Sequence, residues 1–261
     1  MLEAFILLLL LGLIVGAYGT LIGAGGGFVL LPLMLLLYPN DPPELLTSIS
    51  LVVVFFNAMS GSIAYARMRR IHYRSGLLFA AAGIPGSIAG AMSTHYIPRA
   101  PFDIVFGALM VVGGAFLFVT TPLRPASAAE AGSRPLVPGY KKSLGAGISF
   151  LVGYLSSLLG IGGGIIHVPI MARVLHFPVH VAAATSHFVL AILALVGWVV
   201  HLAQGNLSGS LPRLVPLGLG VLAGAQVGAA LSRRIGSTWI VQSIALALAF
   251  VGLRILLLPI F

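Results

Sequence analysis

The chain has no cysteine and only five acidic residues. The first absence excludes disulfides, iron–sulfur clusters and thiol chemistry. The second says more, because of where the five lie. Glu3, Asp41, Glu44, Asp103 and Glu130 all fall at the ends of apolar stretches or between them. No carboxylate stands at the mid-depth of a stretch, where a cation carrier or a carboxylate proton relay would want one. Charged residues make up 7% of the chain and hydrophobic ones 59%, against roughly 25% charged in soluble domains. Such a chain is an integral membrane protein with no room for a sizeable soluble domain. The net charge of +9 is then no nucleic-acid footprint. Its cations cluster in short segments such as Arg67-Met68-Arg69-Arg70-Ile71-His72-Tyr73-Arg74, where positive charge fixes membrane orientation. The start, Met1-Leu2-Glu3-Ala4, carries no positive n-region and its apolar run outlasts a signal peptide, so it reads as a retained first helix.

Apolar stretches occupy 2–21, 27–38, 44–66, 75–95, 101–120, 143–159, 164–176, 179–203, 212–232 and 237–258. A crossing needs about 20 residues. As one helix, 2–38 would run about 55 Å at 1.5 Å per residue, too long for one straight passage. Inside it lies Gly23-Ala24-Gly25-Gly26-Gly27, followed by Pro32; inside 143–176 lies Gly160-Ile161-Gly162-Gly163-Gly164, followed by Pro169. Glycine weakens a helix more than any residue but proline, so both runs predict breaks. A break within a bilayer leaves backbone polar groups that lipid cannot satisfy, and it survives only in protein or beside a watery cavity. Matching breaks in two halves point to a transport site.

The duplication extends further. Thr47-Ser48 matches Thr185-Ser186, the segment Gly86–Ser93 matches Gly224–Leu231, and Gly114 matches Gly252, all at one spacing. We read a first transmembrane repeat over 1–120, a cytoplasmic joining loop over 121–142 and a second repeat over 143–261. The joint holds Pro122, Pro125, Pro135, Pro138, Arg124, Arg134, Lys141 and Lys142, an exposed-loop composition. The expected fold is an all-α integral membrane protein of two inverted repeats, each with a Gly-broken first helix and three further transmembrane helices. Inversion follows from charge. If each broken segment folds back on itself, Arg67, Arg69, Arg70, Arg74, the joint, Arg173, Arg233 and Arg234 share one side. Arg99, Arg213, Arg254 and the loop Asn40–Glu44 take the other, with both termini outside. Parallel halves would put Arg173, Arg233 and Arg234 outside.

The paired Gly-x-Gly-Gly-Gly runs with their following prolines, and the Thr-Ser pairs Thr47-Ser48 and Thr185-Ser186, resemble the sulfite exporter TauE/SafE family of bacterial membrane transporters over nearly the full length. The resemblance implies an inner-membrane permease for small anions, commonly sulfite, sulfonates or related sulfur and carboxylate compounds.

Candidate binding residues follow from the breaks. A half-helix starting near Gly26 or Gly163 presents backbone N–H groups at its positive end, which bind anions without a formal charge. This selects Gly25, Gly26, Gly27, Gly162, Gly163 and Gly164; the bland alternative is close helix packing, to which Gly12, Gly16, Gly86 and Gly90 are assigned. Thr47, Ser50, Val54, Asn57 and Gly61 recur at helical spacing on one stripe. Thr47 and Asn57 of this stripe, Ser48 beside it, and Thr185, Ser186 and Gln226 in the second half are candidate donors to an oxyanion; for Ser50 and Asn57, interhelical packing is an equal alternative. His167 and His187 are the deepest titratable residues and are candidates to carry a coupling proton or to add positive character, against the alternative of neutral structural histidines. His176, His180 and His201 sit nearer span ends and read as interfacial. No metal site and no cofactor are expected: no metal-ligand spacing, nucleophile–base pair or phosphate loop appears.

The sequence thus predicts a secondary transporter of small anions working by alternating access, with substrate and lipid bilayer as partners, no nucleic acid, and room for a homodimer. An anion channel with the breaks as filter, a permease for other small organic acids, and a membrane-embedded enzyme or non-transporting subunit are the alternatives.

Overall fold

The computed structural model describes residues 2–120, 139–207, 209–232 and 237–257. Every element among them is helical: α1 Leu2–Ile22, α2 Gly27–Leu37, α3 Pro43–Arg67, α4 Tyr73–Thr94, α5 Arg99–Thr120, α6 Lys142–Leu159, α7 Gly164–Arg173, α8 Val179–Ala203, α9 Leu211–Leu231 and α10 Ser237–Leu257. The glycine runs separate α1 from α2 and α6 from α7. Helices are what this composition dictates, since in lipid each backbone group must bond within its own segment. Six of them, α1, α3, α4, α6, α8 and α9, are long and apolar enough to cross a membrane. The joint over 121–138, Glu130, Arg233 and Arg234 lie outside the described residues.

Burial orders the bundle. The apolar window of α3 is 78% buried and that of α8 56%, whereas that of α1 is 28% buried. The central pair is therefore α3 and α8. They run in opposite directions: Leu51 lies against Gly197, and Gly61 against His187. The same holds for α5 and α10, where Gly107 meets Gly252 and Leu256 while Gly114 meets Ala245 and Ala249. In contrast, α1 runs parallel to α9, with Gly12 at Leu217 and Gly16 at Val221. Likewise α4 runs parallel to α6, with Gly86 at Phe150 and Gly90 at Tyr154.

These crossings depend on missing side chains. Hydrophobic burial gives little drive between helices in lipid, so association rests on close backbone approach. A methyl group on Gly86 would lie 2.1 Å from the Phe150 carbonyl oxygen, and one on Gly220 2.1 Å from that of Leu9. Gly12, Gly16, Gly86 and Gly90 are all packing glycines of this kind.

One end of the bundle is tied by two arginines. Arg99, at the start of α5, donates to the carbonyls of Leu35 (3.2 Å), Pro39 (3.2 Å) and Asp41 (2.8 Å) and pairs with Asp103 at 2.8 Å. Arg213 of α9 pairs with Asp41 and lies 4.0 Å over the Tyr38 ring. The Leu35 carbonyl in the last turn of α2, which its own helix does not satisfy, is thereby held together with two carbonyls of the following loop. The opposite end closes differently: Tyr140, Phe177, Phe79 and His72 pack ring on ring, and Tyr140 donates to Ser75 Oγ at 2.6 Å.

His201 stands in the last turn of α8, near the span end. It is fully buried, because the chain after α8 folds back and Asn206 Nδ2 reaches its Nδ1 at 3.1 Å.

Replacing Gly86 by leucine forces α4 from α6 and is expected to destabilise the protein by about 3 kcal/mol in unfolding from detergent micelles. Gly147→Ala, which meets nothing within 4 Å, is expected to be neutral or to stabilise by up to about 1 kcal/mol.

Candidate functional site

Both breaks are built by glycines in the left-handed region, where other residues are strained. In the first, Gly23, Gly25 and Gly26 have φ of 81°, 84° and 76°; in the second, Gly160, Gly162 and Gly163 have φ of 63°, 78° and 66°. The amides of Gly23, Ala24 and Gly25 fold back onto Thr20 and Gly19 carbonyls at 2.9–3.1 Å, which ends α1. Then α2 restarts at Gly27 and α7 at Gly164. Each has a glycine N-cap and no side-chain cap. The first intrahelical bonds are taken by Val29 and Leu30 in α2, and by Ile166 and His167 in α7. Gly27, Phe28, Gly164 and Ile165 therefore stand in the first turns, whose N–H groups point out of the helix start.

The two breaks abut. A methyl on Gly27 would lie 2.7 Å from the Gly160 carbonyl oxygen, and one on Gly164 2.5 Å from Ala24 Cα. Val54 of α3 and Leu190 of α8 close over both, since each lies against Gly25 and Gly162. The stripe on α3 runs across this junction in order. Thr47 packs on Gly160, and Ser50 Oγ donates to the Gly160 carbonyl at 2.6 Å. Val54 touches both runs, Asn57 Nδ2 faces Gly26 and Gly19, and Gly61 faces His187.

Buried polar atoms without partners occur at the junction and beyond it. Native proteins rarely leave such atoms unpaired. Among the described residues they are Thr47 Oγ1, Asn57 Nδ2, Ser62 Oγ, His167 Nδ1, Ser186 Oγ, His187 Nδ1 and His201 Nε2. Asn57 spends its oxygen on Thr20, whose hydroxyl donates to Oδ1 at 2.7 Å, so the free amide hydrogens are those facing Gly26. His187 Nε2 stands 3.3 Å from the same Thr20 hydroxyl.

The other candidates are placed as follows. Ser48 donates to the Glu44 carbonyl of its own helix. Thr185 Oγ1 accepts from the His72 amide at 3.0 Å, tying α8 to the start of α4. His167 Nε2 lies 3.3 Å from Ser149 and its ring meets the Phe79 edge at 5.6 Å, on the α4 and α6 side of α7. Gln226 is exposed on α9, where Nε2 donates to Ser60 and does not reach a break. Thr20 and Tyr65, which donates to the Thr20 carbonyl at 2.6 Å, were not singled out by sequence. The available signal was a lone threonine three residues before the first glycine run.

A cavity of 630 Å³ lies between α3, α8 and α9, bounded by Val52, Phe56, Trp198, Leu202 and Leu214. Its lining is apolar, and it flanks the face of α3 turned away from Val54. It does not suit an anion.

Ser50→Ala leaves the buried Gly160 carbonyl without its donor and is expected to cost about 1–3 kcal/mol of unfolding free energy in detergent. Ser48→Ala, which removes only a bond within its own helix, is expected to change it by less than about 0.5 kcal/mol.

Comparison with known proteins agrees with this architecture. A profile of the family described as "Sulfite exporter TauE/SafE" matches residues 8–255. A probable membrane transporter protein of Bacillus subtilis, YunE, is 32% identical over 97% of each chain. A probable membrane transporter protein of Methanocaldococcus jannaschii is 25% identical, covering 96% of this chain and 95% of its own. No solved structure matches. The chain belongs to the sulfite exporter TauE/SafE family and is a multi-pass membrane transporter.

Proposed function

We propose that the protein is a secondary transporter of small anions, with sulfite, sulfonates or related organosulfur anions as substrates, and that the junction of the two glycine breaks is its binding site. One observation carries the reading: two helix starts lie side by side, and the unpaired amide of a fully buried Asn57 faces one of them. Helix N-termini attract anions through their free N–H groups and their dipole. No described carboxylate competes there, since Asp41 pairs with Arg213, Asp103 with Arg99, Glu44 lies beside His95, and Glu3 is exposed at the start of α1.

In the described state the breaks touch, so an anion enters only when they separate. The two halves are read as inverted repeats, 1–120 and 143–261. The antiparallel pairings of α3 with α8 and of α5 with α10 support this, because each joins equivalent helices of the two halves. Separation then comes from one half, or one group of helices, moving against the other. The end bearing Arg67, Arg69, Arg70, Arg74, Lys141, Lys142 and Arg173 is assigned to the cytoplasm by its positive charge. The end bearing Asp41, Arg99 and Arg213 then faces outward.

Purified protein in liposomes tests this. Labelled sulfite and a sulfonate are expected to show saturable flux and counterflow. Flux without counterflow would indicate a channel, and flux of neither anion would overturn the reading. Asn57→Leu removes a donor to a charged ligand, worth about 1.5–3 kcal/mol, and is expected to weaken anion affinity about 10- to 100-fold with helix content unchanged. Cysteine labels placed singly at 69 and 142 are expected on one membrane face, and labels at 40 and 205 on the other. Labels at 69 and 205 on the same face would rule out the inverted arrangement.

A further inference from the structure

The two breaks are alike in backbone and unlike in what flanks them. Ser50 of α3 binds the carbonyl of Gly160, the first glycine of the second run. On α8, directly after Thr185-Ser186, stands His187, beside Gly61 of α3 and the Thr20 hydroxyl that precedes the first run; its equivalent in the first half is Ile49. Serine and isoleucine are permanently neutral. A histidine can hold a charge.

The surrounding bonds decide which nitrogen is free. The Thr20 hydroxyl gives its one hydrogen to Asn57 Oδ1, so only its lone pairs face His187 Nε2. With the Thr20 hydrogen so assigned, Nε2 carries the imidazole hydrogen. The Nδ1 nitrogen is left as the bare base, fully buried and without a partner. Tyr65 of α3 meets the ring edge-on at 5.7 Å and is the titratable group facing it among the described residues. Its hydroxyl is committed to the Thr20 carbonyl, with Arg70 beyond it. From α1 comes Thr20 and from α3 also Gly61, neither ionisable. On α4, the His72 amide is held by Thr185 and Tyr73 packs on Phe188; on α7, His167 is turned to Ser149 and Phe79. On α9, Arg213 is paired with Asp41. No described carboxylate is in reach of the ring.

A proton on His187 would therefore be a buried cation without a counter-ion, which is costly. An anion between the breaks, met only by neutral donors, is costly for the same reason. Together the two charges offset each other. By linkage, each then raises the affinity for the other by the same factor.

We propose that His187 is the coupling site of this transporter, and that its Nδ1 takes up one proton for each anion received at the adjoining glycine breaks. Transport is then proton–anion symport, electroneutral for a monovalent anion, with one proton because only one half carries the histidine. The inference rests on the breaks being the anion site. No bond other than N–H is made or broken: the proton arrives from one aqueous face, sits on Nδ1 and leaves to the other with the anion.

The test uses liposomes with a trapped pH dye and an alkyl sulfonate, or thiosulfate if sulfonates are not carried. Both stay fully ionised near neutral pH, so any proton that moves with them is carried by the protein. With the membrane potential clamped at zero, a pH gradient of one unit, acid outside, is expected to drive about tenfold accumulation of the anion at one proton per anion, and an anion gradient to acidify the lumen. His187→Gln keeps a donor for Thr20 and cannot titrate; it is expected to exchange anion down its gradient with no accumulation and no acidification. His201→Gln, altered in an equally buried histidine of the same helix, is expected to keep both. Wild-type flux without proton movement, or an H187Q variant that still accumulates anion, overturns the coupling and leaves the anion site standing. If H187Q does not fold, proton uptake by wild-type protein on adding the anion in weakly buffered detergent decides the matter, and its absence counts against the proposal. If sulfite alone is carried the site stands and H187Q decides the coupling, pH-driven accumulation of sulfite by the variant counting against it; flux of none of the three removes the site and the coupling together.

Discussion

Everything central in this molecule depends on six glycines holding φ between 63° and 84°. Only in that backbone region does the chain end one helix, turn and start another within four residues, and only without Cβ atoms do the two turns touch. A side chain at Gly27 or Gly164 would separate them, because a single methyl already falls 2.5–2.7 Å from the facing backbone. The contact between the breaks is thus steric in origin. Its electrostatic consequence is that two positive helix starts are held at one point in the protein interior.

The remaining helices serve that contact. The central pair, α3 and α8, lie against both breaks and supply the side chains that bridge them, from Thr47 and Ser50 at one run to Asn57 and His187 at the other. Outside them, α4 with α6 and α1 with α9 are zipped by glycines onto carbonyl oxygens, which gives close, rigid contacts in a medium where apolar side chains have no water to escape. The two ends differ in chemistry. One is held by Arg99 and Arg213 on the loop after α2, the other by tilted and edge-on aromatic rings around Phe177. A transporter that opens its ends in turn would break charged bonds at one and slide apolar surfaces at the other.

Pseudo-symmetry makes the asymmetric positions informative. His187 follows Thr185-Ser186 where Ile49 follows Thr47-Ser48, so only one half places an imidazole beside its Thr-Ser pair. Asn57 has no amide counterpart in α8, where the chain places alanine and leucine. The first break therefore gathers Thr20, Asn57, Tyr65 and His187, whereas the second is served by hydroxyls alone.

Much of this was written in the sequence. The ten apolar stretches, the two breaks and the all-helical class follow from composition and glycine spacing, because lipid allows a chain so poor in charge few other solutions. The α3 stripe was legible as a period, since residues three and four apart share a helix face whatever the helix packs against. What no period shows is which faces meet. That Gln226 turns to Ser60, that Ser48 bonds within its own helix, that His201 is buried under Asn206 and that Thr20 links Asn57 to His187 are matters of contacts between residues distant in the chain. Those contacts are set by where glycines let backbones approach. Local sequence determined the elements and their interruptions, because backbone hydrogen bonding and φ preferences are local. The tertiary structure alone decided which buried polar atoms are left without a partner, because satisfaction of a polar atom depends on every helix around it.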